Sequence, residues 1–201
     1  MRLNIKNRVL NNSKKFKIIS ILLILIGIAI AVIIFLRPKD IQIDGVRELK
    51  VTSPAFKSNA LIPVKYTGDG KDVSPELRLS NLDKKAVSLA VIMEDIDVPV
   101  RGIYNHWVIW NLPVSRVIPA EIPNGKQISE LDNAVQGIGY GEHCYRGPKP
   151  PFGSHRYKYH VFVLNKRLDL PSSTNREELL EAMSGSVLQH GFLLGEYAGK
   201  K

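Results

Sequence analysis

Apolar residues recur along this chain in three rhythms, and each predicts a different element. The first is unbroken. Across residues 18–36 Ile, Leu, Val and Phe dominate, and Ser20 is the only uncharged polar side chain. As a helix, these 19 residues would span about 28 Å, close to the hydrocarbon thickness of a bilayer. Arg37-Pro38-Lys39 stops the run. The second rhythm is a series of short apolar runs separated by Pro, Gly, Asn and Asp, the punctuation of a β protein. It predicts strands over 62–66, 76–80, 86–93, 106–112 and 157–164. In 86–93, Val87, Leu89, Val91 and Met93 occupy one face and Ala86, Ala90 and Ile92 the other. A strand apolar on both faces belongs in the middle of a covered sheet. The third rhythm is helical. Thr174 and Glu177 have capping-box spacing, and Leu179, Leu180, Met183, Val187 and Leu188 form one stripe. Gly191 ends it, and 192–197 reads as a last strand. The fold class is mainly β, with a C-terminal helix and strand and one N-terminal transmembrane helix.

Charge locates the function classes. The formal charge of +9 points to nucleic acid until its distribution is seen. Eight cations precede the first acid, Asp40, and the remaining 20 Lys and Arg face 19 Asp and Glu. No basic stripe is left on the body, so nucleic acid is not an expected partner. Six cations lie before the apolar run and two directly after it, a bias that keeps the N-terminus cytoplasmic and the body outside. The expected organisation is a basic cytoplasmic tail over 1–17, a transmembrane anchor over 18–36, a linker over 37–45 and a globular domain over 46–201. A cleaved signal peptide is the rival, with Ala29-Ile30-Ala31 as its small-x-small site. Cleavage there would leave Val32-Ile33-Ile34-Phe35-Leu36 as an exposed greasy terminus, which favours the uncleaved anchor. Cys144 is the single cysteine, so no intrachain disulfide forms, and a small buried apolar role suits it better than nucleophile.

Three polar clusters interrupt or end the apolar strands. Glu94-Asp95-Ile96-Asp97-Val98-Pro99 follows the central strand, and alternation sends Asp95 and Asp97 the same way. Asn105-His106-Trp107 opens another strand. Residues 147–157 form a stiff Pro/Gly loop that ends in His155 and Tyr157, on one face of a third strand. An Asp, two His and a Tyr of this kind can line a small polar pocket. A carboxylate beside an imidazole would set its tautomer and favour its protonated form, and backbone N–H groups near Gly147 and Gly153 could add donors to an anion. No compact metal-ligand spacing is present, and hydrogen-bonded polar residues are preferred to a metal site. His160 falls on an apolar strand face, where a hydrogen-bonded core histidine is expected. Trp107 and Trp110 read as core.

These motifs, taken together, resemble the phosphatidylethanolamine-binding protein family in its prokaryotic Raf-kinase-inhibitor-like branch. The resemblance rests on Ser53-Pro54-Ala55-Phe56, Asp69-Gly70-Lys71-Asp72-Val73-Ser74-Pro75, the Asp95 to Pro99 element and His106-Trp107-Val108-Ile109-Trp110-Asn111-Leu112-Pro113. The Gly-Pro-x-Pro-Pro…His-Arg-Tyr element of 147–157 and the Glu178-Leu179-Leu180-x-Ala182-Met183 helix complete it. It implies an antiparallel β core with an anion pocket at one end of the sheet. Asp95, His106, His155 and Tyr157 would line that pocket, with Asp97, Tyr104, Gly147, Pro150 and Pro151 beside them. Its implied ligands are phosphate-type anions and phospholipid head groups. Ile96 replaces the family's usual Pro between the two Asp, and Lys149 stands where related prokaryotic sequences often carry Cys.

The leading functional expectation is a membrane-anchored, non-catalytic binding module without a cofactor. The alternative is an inhibitor that engages a protease or kinase through a protein contact. A hydrolase is disfavoured, because no placed nucleophile accompanies the His and Asp, and adjacent Ser154 and His155 point apart in an extended chain.

Overall fold

The apolar runs 86–93, 106–112 and 157–164 become the centre of one large sheet in the computed structural model. The structure describes residues 2–35, 41, 43, 45–98 and 102–199, with side chains from 15 onward and not for 33–35 or 102. Most of the expected 37–45 linker, and Pro99, lie outside the described residues. The chain forms two compact units, residues 1–38 and 39–201.

The first unit is one helix, α1 (Arg2–Phe35). It therefore begins well before the apolar run. Over 15–32 its mean hydropathy is 2.5, long and apolar enough to cross a membrane. The described side chains of the run are exposed. Ser20 Oγ donates to the carbonyl of Phe16 at 3.0 Å, so the run's one polar group is satisfied within the helix.

The second unit contains strands β1 (Arg47–Glu48), β2 (Lys50–Thr52), β3 (Ala60–Leu61), β4 (Leu77–Ser80), β5 (Ser88–Val98) and β6 (Gly102–Leu112). It continues with β7 (Val117–Ile118), β8 (Gln127–Ile128), β9 (Ala134–Gln136), β10 (Ser154–Leu164), helix α2 (Arg176–Met183) and β11 (Val187–Ala198). The large sheet runs β1-β11-β10-β5-β6-β9-β8, with β3 also on β11, and the small sheet runs β2-β4-β7. Pairing is antiparallel except that β1 and β3 lie parallel to β11.

Because β5 is central, its alternation divides the core into two. Leu89, Val91 and Met93 face a layer shared with Val51, Leu77, Leu79 and Ile118 of the small sheet. Ala90 and Ile92 face a second layer with Leu179 and Met183 of α2. β5 is thus covered on both sides, as its two-faced apolarity predicts. Val87 lies outside β5 and is exposed, so it does not share the face assigned to it.

Three other local expectations are corrected. Residues 62–66 are not a strand: Pro63 has no N–H for a ladder, and Val64–Tyr66 forms a 3₁₀ turn. The capping box lies one residue later than its spacing implied. Asn175 accepts from the Glu178 N–H at 3.0 Å, and Glu178 Oε2 accepts from the Asn175 N–H at 2.9 Å. The helix stops at Met183, ahead of Gly185 at φ +70°. Val187 and Leu188 belong to β11, where register with β10 (Leu164 opposite Val187) overrides helical spacing.

Candidate functional site

Tyr104, Asp95 and Tyr157 form one row across β6, β5 and β10, since Asp95 is in register with both tyrosines. His106 joins this face through a break in alternation. Met93 pairs with Trp107 and Glu94 with Asn105, so His106 is the extra residue of a β-bulge. The bulge sends His106 and Trp107 to the same side. The His106 ring stands edge-on to Tyr157, with centroids 5.3 Å apart, and Trp107 packs on Tyr145 in the same layer.

These residues open into a cavity of about 340 Å³. Asp95, His106, His155 and Tyr157 line it, with Tyr104, Pro150 and Pro151, so the structure brings these seven expected residues together. Asp97 does not line it. Its carboxylate takes the Arg156 guanidinium at 2.7 and 2.8 Å and the Arg156 N–H at 2.9 Å, and the arginine holds its pKa below the usual range. Gly147 lines a smaller adjoining cavity of about 190 Å³, bounded also by Asp72 and Arg146. Its N–H donates to Asp72 Oδ1 at 2.5 Å and is not a free donor. A Cβ at this position would lie 2.4 Å from the Tyr66 carbonyl, which explains the glycine. His106, Tyr140 and Lys149 are walls of both cavities.

The hydrogen bonds at the floor determine the tautomers. Asp95 Oδ1 accepts from the Asp97 N–H at 2.9 Å, and Oδ2 lies 2.7 Å from His155 Nδ1. A carboxylate accepts, so His155 carries its hydrogen on Nδ1. His106 Nδ1 is 2.8 Å from the Arg146 carbonyl, which also only accepts, so the same holds there. A neutral imidazole so bonded keeps its lone pair on Nε2. Burial pushes the His106 pKa below its ordinary value, against the Arg146 hydrogen bond and the Asp95 charge. Asp95 does act to raise it, as expected of a carboxylate near an imidazole, but desolvation outweighs that effect. Tyr157 is fully buried; its hydroxyl makes no well-formed hydrogen bond among the described residues, and Asp95 is the acceptor nearest its reach. Burial first, then the Asp95 charge, keeps that hydroxyl protonated and able to donate.

Sequence reasoning missed Tyr140, which sits in a Gly-Tyr-Gly turn and stacks edge-on to Tyr104 at 5.1 Å. Its backbone N–H reaches the Asn105 carbonyl, which fastens the turn to the bulged strand. An aromatic flanked by two glycines was the available signal. Arg146, 5.7 Å above the Tyr140 ring, was also missed. Val98 and Phe152 add apolar surface to the larger cavity, and Phe152 is 84% exposed. Lys149 Nζ donates to the Gly68 carbonyl at 3.3 Å and lies 3.4 Å from Asp69 Oδ1.

Two other side chains are committed elsewhere. Ser154 Oγ donates to Glu196 at 2.6 Å, and burial, with Glu142, pushes the Cys144 thiol up to about 11.

The fold and the motifs recur in known proteins. A UPF0098 protein of Pyrococcus abyssi is 38% identical over 159 residues, covering 78% of this chain and 89% of the relative. The crystal structure of a phosphatidylethanolamine-binding protein homologue from Chlamydia trachomatis superposes with a TM-score of 0.67 at 35% identity. That match covers 77% of this chain and 99% of the other. Escherichia coli YbcL shares the fold at 24% identity and a TM-score of 0.69, over 76% of this chain and 99% of its own. The profile of phosphatidylethanolamine-binding proteins spans residues 52–198, from β2 to the end of β11, and so takes in the whole cavity. On that match this chain belongs to the phosphatidylethanolamine-binding protein family.

Proposed function

We propose that the chain is a non-catalytic binding module whose cavity takes a phosphate-type anion, free or as a phospholipid head group. The observation that carries this reading is the buried Tyr157 hydroxyl, which makes no well-formed hydrogen bond among the described residues and belongs to a cavity lined also by two imidazoles whose Nδ1 atoms are already engaged. An unsatisfied buried donor costs stability, so its retention is best explained by a ligand that completes it. Asp95, His106, His155 and Tyr157 form the floor. Tyr104, Pro150 and Pro151 shape the wall, and Lys149 adds positive charge at the rim. Gly147 and Asp97 act from behind, through the loop and through Arg156.

The same reading places the module at a membrane, with α1 as a single-pass anchor, the N-terminus cytoplasmic and the second unit outside. Support comes from the apolar length of the helix and from the six cations ahead of its apolar run. Titration of the full chain in neutral detergent with a phosphate monoester tests the pocket. Saturable binding that weakens in Tyr157→Phe is expected, whereas turnover of phosphoesters that disappears in His106→Ala would replace the binding reading with an enzyme. Membrane fractionation combined with external protease tests the topology, and recovery of a soluble chain beginning near Val32 would show a cleaved signal peptide.

A further inference from the structure

Lys14, Lys15 and Lys17 stand directly ahead of the apolar run of α1, and no acidic residue precedes Asp40. Nothing along the helix can therefore neutralise them through an ion pair three or four residues away. Helix α1 is continuous from Arg2 to Phe35, so helical rise fixes the depth of every cation relative to the run. With Ile18 as the first residue in hydrocarbon, Lys17, Lys15 and Lys14 lie about 1.5, 4.5 and 6 Å outside it along the axis. Arg8, Lys6 and Arg2 lie about 15, 18 and 24 Å outside. The head-group layer is about 5–7 Å thick on each side of the core, and physiological salt screens charge beyond about 8 Å. The first three cations fall where lipid charge is felt, and the last three fall beyond it.

Direction matters as well as depth. Lys14-Lys15-Phe16-Lys17 is about one turn of helix, so its cations surround the axis and do not form one stripe. Lys15 and Lys17 are exposed, and Phe16 is 70% exposed at the same level, the position an aromatic takes at a membrane interface. The nearest polar group within the run, the Ser20 hydroxyl, is bonded to the Phe16 carbonyl. Recognition at this level therefore rests on charge.

We infer that this turn is a lipid-binding collar that selects anionic phospholipids in the leaflet on the N-terminal side. Its ammonium groups pair with head groups that carry net negative charge, whereas a zwitterionic head group answers its own phosphate with its own cation. The collar lies outside residues 52–198, the span of the family match, and does not involve the cavity. It rests on the reading of α1 as an uncleaved anchor.

The test is electron spin resonance on the full chain reconstituted in phosphatidylcholine vesicles, with trace spin-labelled phosphatidylglycerol or phosphatidylcholine. Lipid in contact with a spanning helix gives a motionally restricted component, and its size for each label yields a relative association constant. At low salt phosphatidylglycerol should be preferred about fivefold, the equivalent of the ~1 kcal/mol that one cation near the surface supplies. In 1 M salt the preference should fall below about twofold, because the screening length shrinks to about 3 Å. Replacing the collar (Lys14→Gln, Lys15→Gln and Lys17→Gln together) should bring the preference to about one, since glutamine removes the charge and keeps the helix propensity. Replacing the distal cations (Arg2→Gln, Lys6→Gln and Arg8→Gln together) should leave it unchanged. Equal association of both lipids with the wild-type chain overturns the inference while leaving the anchor in place. So does a preference that survives the collar variant or disappears in the distal one. Absence of a restricted component for either lipid overturns the anchor itself.

Discussion

Glu94 and Asp95 are neighbours on β5, yet the two carboxylates meet opposite fates on the two faces of the sheet. Glu94 is fully buried against α2, where Arg176 Nε donates to Oε1 and His160 Nε2 lies 3.3 Å from Oε2. His160 Nδ1 in turn lies 2.9 Å from His190 Nε2, so the buried cluster draws on β5, β10, β11 and α2, though Glu94 Oε2 and His160 Nε2 make no well-formed hydrogen bond among the described residues. Burial works to raise the Glu94 pKa, but His160 and Arg176 together outweigh it and the pKa falls. On the other face Asp95 also holds a histidine, but the cluster remains open: Asp95, His106, His155 and Tyr157 all line a cavity. The lesson is that the face covered by α2 gives its carboxylate an arginine, whereas the uncovered face leaves its carboxylate beside a cavity. Helix α2 makes the difference, covering one face of β5 near Glu94 with an arginine.

The comparison can be broken hardest from the closed side. Arg176→Met leaves Glu94 buried without its cation, and denaturant unfolding should show a loss of about 3–5 kcal/mol. Adding Glu94→Leu should restore much of it, since a buried pair replaced by apolar groups is often nearly neutral. If Arg176→Met costs no more than a surface change, the pair is not part of what holds α2 on the sheet.

The open side should lose binding without losing stability. Tyr157→Phe removes a hydroxyl with no well-formed hydrogen bond among the described residues, so unfolding should show no loss and a gain of up to about 1–3 kcal/mol, while affinity for a phosphate monoester falls about tenfold. A large stability loss in Tyr157→Phe would mean that the hydroxyl already has a partner in the protein.

Titration sharpens the contrast further. His106 has a folded pKa below its unfolded value, so the stability it preserves is complete above the ordinary histidine range. That stability is lost as pH falls from there toward the lower folded value. Glu94 also has a depressed folded pKa, so its contribution holds above the ordinary carboxylate range and is lost only as pH falls through its lower folded value. Melting temperature against pH should therefore decline in two separate windows. His106→Gln should flatten the upper one and leave the lower one in place. The smallest effect is expected at the rim. Lys149 is mostly exposed and already shared with Gly68 and Asp69, so Lys149→Ala should weaken anion binding by about 0.5 kcal/mol, less in high salt.

Much of the site was legible because its parts end strands. Asp95, His106, His155 and Tyr157 stood out as polar residues at the borders of apolar runs, and the cavity contains all of them. Alternation also placed Asp97 beside Asp95, but the rule fails where the strand pairing does. Register shifts between Asp95 and Val98, and Arg156 captures the Asp97 carboxylate. Tyr140 escaped notice because its turn shows no period, and only its docking over β6 brings the ring to Tyr104.

The sequence by itself determined the unbroken apolar helix, the covered central strand and the order of strands, helix and strand. These follow from side-chain periodicity, which is local and needs no knowledge of what lies across the sheet. It also determined which residue types could meet at one end of that sheet. Tertiary structure alone decided how they meet. The bulge that turns His106 inward depends on β5 lying opposite β6. The hydrogen on each Nδ1 depends on a carbonyl 40 residues away along the chain and a carboxylate 60 residues away. The closing of Glu94 depends on an arginine 82 residues further on. Long-range pairing of this kind leaves no periodic trace, because each contact joins one residue to one distant partner and repeats nowhere else.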